Sequence, residues 1–288
     1  MKKQKVNKKS TKLSVFRRKN TLFIAFALIF ALVGGAYLYI SHAEVPLKPP
    51  IKGLVYTNRV VPPQGLLQKN GTPIFNNAVV LLHWKDLEPT DQNFNTPAWD
   101  QIDQYTSKGI GVRLRIMSGI HAPDFVKKMG GPAISGSGID CNVSGGIAVF
   151  NTWDNVGGCV PRFWTEQYLY QYKQLMQEVA RRYDNFSAGK YVLDVVDSAC
   201  MTVYAEPFYR AHKSSDSHKR LYNAGLDEEN DKKCHRRAIN IHDRTFKHTR
   251  TSIAFNNWEL LTAKPDNQYR VATDYGLQQA AIFVAESR

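Results

Sequence analysis

Beyond about residue 50, the chain alternates between short apolar runs and longer amphipathic segments. The run at 78–82 is continuously apolar, which is typical of a strand buried on both faces of a parallel sheet. Residues 163–183 instead repeat large apolar side chains at helical spacing, which predicts an amphipathic helix facing the core. Further strands are predicted at 53–56, 111–117, 192–196, 251–256 and 281–285.

Repeated strand–helix units predict an α/β fold with a parallel sheet and helices outside it. A doubly wound sheet and a TIM (β/α)8-type barrel both satisfy this pattern. No Gly-rich phosphate-binding loop follows the first predicted strand, which weakens the doubly wound dinucleotide-binding option. Polar and aromatic residues follow predicted strands two to five, and a site drawn from several strand ends is typical of a barrel. We therefore expect an incomplete barrel over residues 51–288, with about six strands.

The first 50 residues have a different composition. Residues 1–20 form a basic tail, which carries +9 of the formal net charge of +13. Residues 21–40 are uncharged, and as a helix they would span about 30 Å, the thickness of a bilayer core. The one-sided basic flank predicts a single-pass membrane helix with a cytoplasmic N-terminus and an extracytoplasmic main domain. A cleaved signal peptide ending near Ala43 is the alternative.

A proline-rich segment at 41–50 is expected to be a linker. Beyond the basic tail the chain carries only +4, so we expect no nucleic-acid partner. The sequence contains neither a CxxC nor an HExxH motif, and we therefore expect no metal or other cofactor. The histidine-rich stretch at 211–250 is interpreted as a solvated insertion or helix face.

The chain has four cysteines, an even number that permits disulfides outside the cytoplasm. Cys141 and Cys159 bracket a Gly-rich insertion at 129–160, so we expect them to pair first and leave Cys200 with Cys234. Connectivity does not follow from sequence, and free buried thiols are the alternative.

The candidate chemistry lies after the strand predicted at 192–196. Glu206 precedes a proline, and aromatic side chains crowd it, Tyr204 among them. A carboxylate just past the carboxyl end of a strand, among aromatic rings, fits a sugar-cleaving site on an α/β barrel. The alternative is a loop glutamate that caps a neighbouring group or faces water.

Several segments, in order, resemble the retaining glycoside hydrolases of the (β/α)8-barrel clan, closest to its β-galactosidase-like and cellulase-like branches. They are 84–89 with Phe94 and Trp99, 113–123, 161–164, 181–184 and 205–207. The resemblance implies a carbohydrate ligand and makes Glu206 the general acid/base. Ala205 stands where the family usually has Asn, and the family's nucleophile, on strand seven, falls beyond the sixth predicted strand.

The leading hypothesis is a membrane-anchored, extracytoplasmic hydrolase of O-glycosidic bonds. Flat rings suit the apolar faces of sugars, so four further residues are expected to line the site: His121, Trp164, Tyr204 and Trp258. Retaining hydrolysis needs two carboxyl groups about 5–5.5 Å apart, and Glu206 supplies one. The alternatives are a non-catalytic surface module that binds glycans and a truncated, inactive fragment. The sequence does not predict an oligomeric state.

Overall fold

The computed structural model describes residues 45–57, 74–204, 206–207, 210, 214–254, 259–263 and 269–273. The chain divides into two compact units, Met1–Pro46 and Leu47–Arg288. The predicted tail, the hydrophobic segment at 21–40 and the cleavage position near Ala43 lie outside the described residues. Among the helices of the described part, none is long and apolar enough to cross a membrane.

Five strands form a parallel sheet in the order β1-β2-β3-β6-β7. In chain order the strands are β1 Leu54–Tyr56, β2 Phe75–His83, β3 Gly111–Met117, β4 Ile147–Asn151, β5 Val156–Val160, β6 Val192–Asp197, β7 Arg250–Ile253, β8 Glu259–Ala263 and β9 Tyr269–Thr273. Each new parallel strand adds to the same side of the sheet, without the reversal of a doubly wound fold. The described residues thus form an α/β sheet with barrel-like strand order, and they show no barrel closure.

Six α-helices accompany the described sheet: α1 Trp84–Leu87, α2 Asp100–Thr106, α3 Asp124–Lys127, α4 Glu166–Tyr183, α5 Ser215–Asn223 and α6 Glu228–Thr245. The predicted helix at 163–183 begins three residues late, because the Thr165 side chain accepts the Tyr168 N–H and caps it. Tyr168 and Tyr172 on this helix are fully buried, as the aromatic periodicity predicted.

The two faces of the sheet differ in polarity. One face packs into the main core through the apolar side chains of Ala78, Val80, Leu82, Val112, Leu114, Ile116 and Val195. On the other face Arg113 Nε donates to Asp194 Oδ2 at 2.6 Å, and Ser252 Oγ donates to the same oxygen at 2.8 Å. The buried carboxylate of Asp194 is therefore paired with a partly exposed guanidinium.

The Gly-rich insertion at 129–160 contains the antiparallel hairpin β4–β5. Cys141 is bonded to Cys159 across this insertion, and Cys200 is bonded to Cys234 on α6. Strands β8 and β9 form a second antiparallel hairpin. The strand predicted at 281–285 lies outside the described residues.

Two regions differ from the sequence-based expectation. The histidine-rich stretch, interpreted as a solvated insertion or helix face, forms α5 and α6, which have exposed faces, but His218, His235 and His242 are buried, so the prediction is wrong for these three side chains. These rings are buried because each has a polar partner inside; for example, His242 Nε2 lies 2.9 Å from the Tyr172 hydroxyl. Residues 45–50 of the expected linker are described, and among them Lys48 is fully buried within the second unit.

Candidate functional site

The loops that follow β3 and β6 pack directly against each other at the carboxyl edge of the sheet. The Ile120 N–H donates to the Thr202 carbonyl at 2.9 Å. Gly119, at φ +50°, allows this approach, because a Cβ there would lie 1.9 Å from the Thr202 oxygen. The contact brings the turn carrying His121 against the segment that leads to Glu206.

A histidine pair lies at the ends of β2 and β3. The rings of His83 and His121 are stacked with centroids 3.9 Å apart, and both are partly exposed. His83 Nδ1 lies 3.3 Å from Asp86 Oδ2. His121 therefore occupies the predicted edge, and His83 is a neighbour that the sequence analysis did not select. Its position as the last residue of a buried strand was the available signal.

Tyr204 and Glu206 are both half-buried at the end of the β6 loop. The Tyr204 hydroxyl donates to Asp154 Oδ2, and Asn151 Nδ2 donates to the Tyr204 oxygen. Burial, the hydrogen bond to Asp154 and the negative charges of Asp154 and Glu206 raise the pKa of Tyr204 to about 12. The phenol therefore stays protonated and polar at neutral pH, and the hydrogen bond from it lowers the pKa of Asp154.

Arg210 binds the backbone of the loop that follows β6 and carries Glu206. Its side chain is fully buried and donates from Nη1 to the carbonyls of Cys200, at 2.8 Å, and Pro207, at 2.6 Å. Its Nε and Nη2 pair with both carboxylate oxygens of Asp231, whose pKa is lowered mainly by the charge of Arg210 against the opposing effect of burial. Because Asp231 and Cys234 both lie on α6, an ion pair and a disulfide fix the Glu206 loop to the same helix.

Glu259 is a second acidic residue attached to this network. Its Oε2 accepts the Arg210 backbone N–H at 2.8 Å and lies 4.0 Å from His218 Nε2. Glu259 begins β8, so it links the second hairpin to the segment that follows Glu206. In the described residues, these contacts make Glu259 a structural residue that anchors the backbone of Arg210.

Of the two predicted tryptophans, Trp164 is described by the structure, and it is not an exposed ring at this edge. Trp164 is 7% exposed and packs edge-on against Phe163 in the main core, so its faces are covered by protein. Trp258 lies outside the described residues. Within the described part of the chain, no group of three or more His, Cys, Asp or Glu side chains could hold a metal ion.

Sequence reasoning missed the groups that surround Tyr204 and Arg210. Asn151 and Asp154 come from the inserted hairpin, about 50 residues before Tyr204 in the chain. Asp231 follows Arg210 by 21 residues and comes from a helix that was read as solvated. No local pattern marks such contacts, because they depend on how the inserted elements fold back on the sheet.

Comparison with known proteins gives a distant structural resemblance. No family model and no curated protein matches the sequence. Among solved structures, the chain is similar to endo-glycoceramidase II from Rhodococcus sp. in its complex with a five-membered iminocyclitol. That match has a TM-score of 0.40 and 14% identity, and it covers 84% of this chain and 62% of the other.

Complexes of the same enzyme give similar values. The cellobiose-like imidazole complex matches with a TM-score of 0.41 and 12% identity, over 85% of this chain and 63% of the other. The ganglioside GM3 complex matches with a TM-score of 0.39 and 13% identity, over 75% and 52%. The chain thus spans less than two thirds of these structures. At this distance the likeness does not define a site, and we base the function on the strand-end residues.

Proposed function

We propose that this protein is a membrane-anchored, extracytoplasmic glycoside hydrolase that acts on O-glycosidic bonds, with Glu206 as its general acid/base. The observation that carries the proposal is the placement of Glu206. It is a half-exposed carboxylate at the carboxyl edge of a parallel sheet, beside Tyr204 and held by a fully buried arginine. Catalytic groups of parallel α/β barrels come from this edge.

The geometry supports proton transfer in a fixed position. Arg210 binds the Pro207 carbonyl, so the residue next to Glu206 cannot drift without breaking a buried charge-assisted hydrogen bond. In the proposed reaction, Glu206 protonates the leaving oxygen as the glycosidic C–O bond breaks, and a second carboxylate, to be supplied by a residue beyond those assigned here, takes up the glycosyl group. Glu206 then removes a proton from the water that displaces that carboxylate. Tyr204 and His121 would contact the sugar, as hydroxyl donor and as a flat ring.

Two lines support the proposed location. Both disulfides of the described residues are of the kind that persists in oxidising compartments. The uncharged segment at 21–40 behind a basic tail is typical of a membrane anchor.

A second candidate is a surface module that binds glycans without cleaving them. It is favoured because, in the described residues, the acidic side chains near Glu206 already take part in hydrogen bonds within the protein. Asp154 is bound by Tyr204 and Asn151, and Glu259 is bound by the Arg210 backbone, so we assign no second catalytic carboxylate there. Ala205 also replaces the amide expected from the family resemblance.

The test is a turnover assay of the full chain on a panel of aryl glycosides and reduced oligosaccharides. Glu206→Gln should lower kcat by about 10²–10⁴-fold, the contribution of a general acid/base, while the exposed α6 residue Glu229, changed to Gln, should leave it unchanged. Unaltered turnover in Glu206→Gln would contradict the acid/base role. Glycan binding without turnover in the wild type would favour the binding module.

A further inference from the structure

The tip of the β4–β5 hairpin presents an exposed indole. Trp153 is 78% exposed, whereas the other tryptophans of the described residues, Trp84, Trp99 and Trp164, are 7% exposed or less. An exposed tryptophan leaves a large apolar face in water, where it contributes nothing to the core.

The backbone under this indole is well fixed. Asn151 Nδ2 donates to Asp154 Oδ1 at 2.6 Å, and the same oxygen accepts the Val156 N–H at 3.2 Å. The backbone N–H of Trp153 donates to Asn151 Oδ1 at 3.4 Å. These bonds close a short polar turn across the hairpin, so the backbone of Trp153 is fixed before any ligand binds.

The hairpin itself is attached at its sides. The Cys141–Cys159 disulfide crosslinks the hairpin to the chain before it, and β4 is hydrogen-bonded to α5. The Phe150 N–H donates to Ser217 Oγ at 2.9 Å, and Arg220 Nε donates to the Ala148 carbonyl at 2.8 Å. A hairpin whose backbone is held in this way loses little conformational entropy when a ligand binds to it, which favours affinity.

The same turn is joined to the candidate site. Asn151 and Asp154, which flank Trp153, both bond the Tyr204 hydroxyl, and Tyr204 lies two residues before Glu206. Consecutive Cα atoms are about 3.8 Å apart, so the backbone of Trp153 lies one residue from a side chain that bonds Tyr204. The exposed turn that carries the indole is therefore attached to the segment that leads to Glu206.

The neighbours of the ring indicate a polar ligand. Trp153 is an isolated exposed indole between Thr152, Asp154 and Asn155, all of them exposed. Hydrogen bonding keeps the pKa of Asp154 low, so a charged carboxylate sits beside the ring at neutral pH. A charged group at this point disfavours insertion into a lipid bilayer. Hydroxyl-rich rings with an apolar face match the surroundings better.

We infer that Trp153 is a stacking platform for a sugar ring at a distance from the scissile bond, and that the ligand is an oligosaccharide of several residues rather than a simple glycoside. This inference rests on the proposed function, since it places the cleaved or bound glycan at Glu206. It identifies the disulfide-stapled hairpin as the element that determines specificity for chain length.

The test measures binding of the full chain to glucose-, galactose- and mannose-based oligosaccharides of one to six units, in a detergent without a sugar headgroup. All variants also carry Glu206→Gln, so that bound glycans are not consumed. Trp153→Ala should raise Kd for four- to six-unit chains about tenfold and leave Kd for one- and two-unit sugars unchanged. Trp153→Tyr should restore the affinity to within about threefold.

Phe186→Ala is the matched control, because Phe186 is an aromatic residue, 49% exposed, in the loop before β6 at the opposite edge of the sheet. An unchanged Kd for long chains in Trp153→Ala would overturn the platform while leaving the proposed function standing. If the Trp153-containing protein binds no glycan of any length, the proposed function and the platform fall together.

Discussion

The two edges of the parallel sheet each contain a fully buried cationic side chain. One binds segments at the starts of the strands, and the other binds the loop that carries Glu206. At the amino edge, Lys48 Nζ donates to the carbonyls of Tyr183, Gly189 and Val192 and to the Thr249 hydroxyl. At the carboxyl edge, Arg210 pairs with Asp231 and binds the carbonyls of the loop that carries Glu206.

The difference lies in where each network ends. The Lys48 contacts close on backbone carbonyls and one hydroxyl inside the protein, which ties the segment before β1 to the starts of β6 and β7. The Arg210 contacts end in a half-exposed segment with Tyr204 and Glu206. The buried Lys48 network stabilises the fold, whereas the Arg210 network also fixes the position of an open loop and of the side chains that this loop carries. The comparison predicts that the two edges respond differently to mutation.

The largest loss of stability is expected when the buried pair at the carboxyl edge is broken. Asp231→Asn leaves Arg210 as an uncompensated buried charge, which should lower the free energy of unfolding by about 3–5 kcal/mol. Chemical denaturation of the full chain measures this. Glu228→Gln, which breaks a partly exposed pair with Lys232 on the same helix, should cost less than about 1 kcal/mol. Equal effects of the two changes would contradict the role given to Arg210.

At the amino edge, Lys48→Met should separate stability from function. The change removes a donor from four buried acceptors, and we expect a loss of about 2–4 kcal/mol in the free energy of unfolding. Below the unfolding transition, kcat/KM and glycan affinity should remain at wild-type values. Lys52→Met at a neighbouring exposed position is the control. A drop in turnover of the folded Lys48→Met protein would break the proposed distinction between the edges.

A smaller effect is expected from Glu88, a carboxyl group that is fully buried in the turn after β2. It accepts from Trp84 Nε1 at 2.7 Å and from the Gln92 N–H at 3.0 Å, and burial raises its pKa to about 7. The folded state therefore binds a proton that the unfolded state releases near pH 4.5. The contribution of Glu88 to stability should be largest below about pH 4.5 and should fall by at most about 3 kcal/mol as the pH rises through 7.

Glu88→Gln should flatten that part of the pH–stability curve, as measured by thermal unfolding between pH 4 and 8. It should leave the pH profile of turnover unchanged, because Glu88 is enclosed by protein rather than open to substrate. A shift of the turnover profile would mean that Glu88, rather than an open carboxylate at the same edge, controls the chemistry.

The sheet and the main helix could be predicted from sequence because they carry periodic patterns. The continuous apolar run that became β2 and the aromatic spacing of α4 report their burial directly. The same spacing explains why Trp164 is a core residue rather than part of an open sugar site. Its ring completes the apolar stripe just before the helix cap at Thr165.

The polar networks could not be predicted, because polar composition does not distinguish a solvated side chain from a paired one. His235 and Asp231 read as surface residues, yet both are almost fully buried around Arg210. Lys48 lies in a proline-rich segment that appeared to be a linker, and its acceptors are more than 130 residues away. The strand at 192–196 predicted where Glu206 lies along the chain. No sequence pattern predicted the Arg210 contacts that hold its loop.

In the proposed function, Glu206, the open carboxylate at the carboxyl edge, gives a proton to the leaving oxygen of the glycosidic bond. The most direct measurement compares kcat/KM of the full chain and of Glu206→Gln on aryl glycosides whose leaving phenols span high and low pKa. A lost general acid should cost about 10²–10⁴-fold for the most basic leaving groups and little for the most acidic ones, which depart without a proton. An equal loss across the series, or none, would contradict the assignment of Glu206 as the acid.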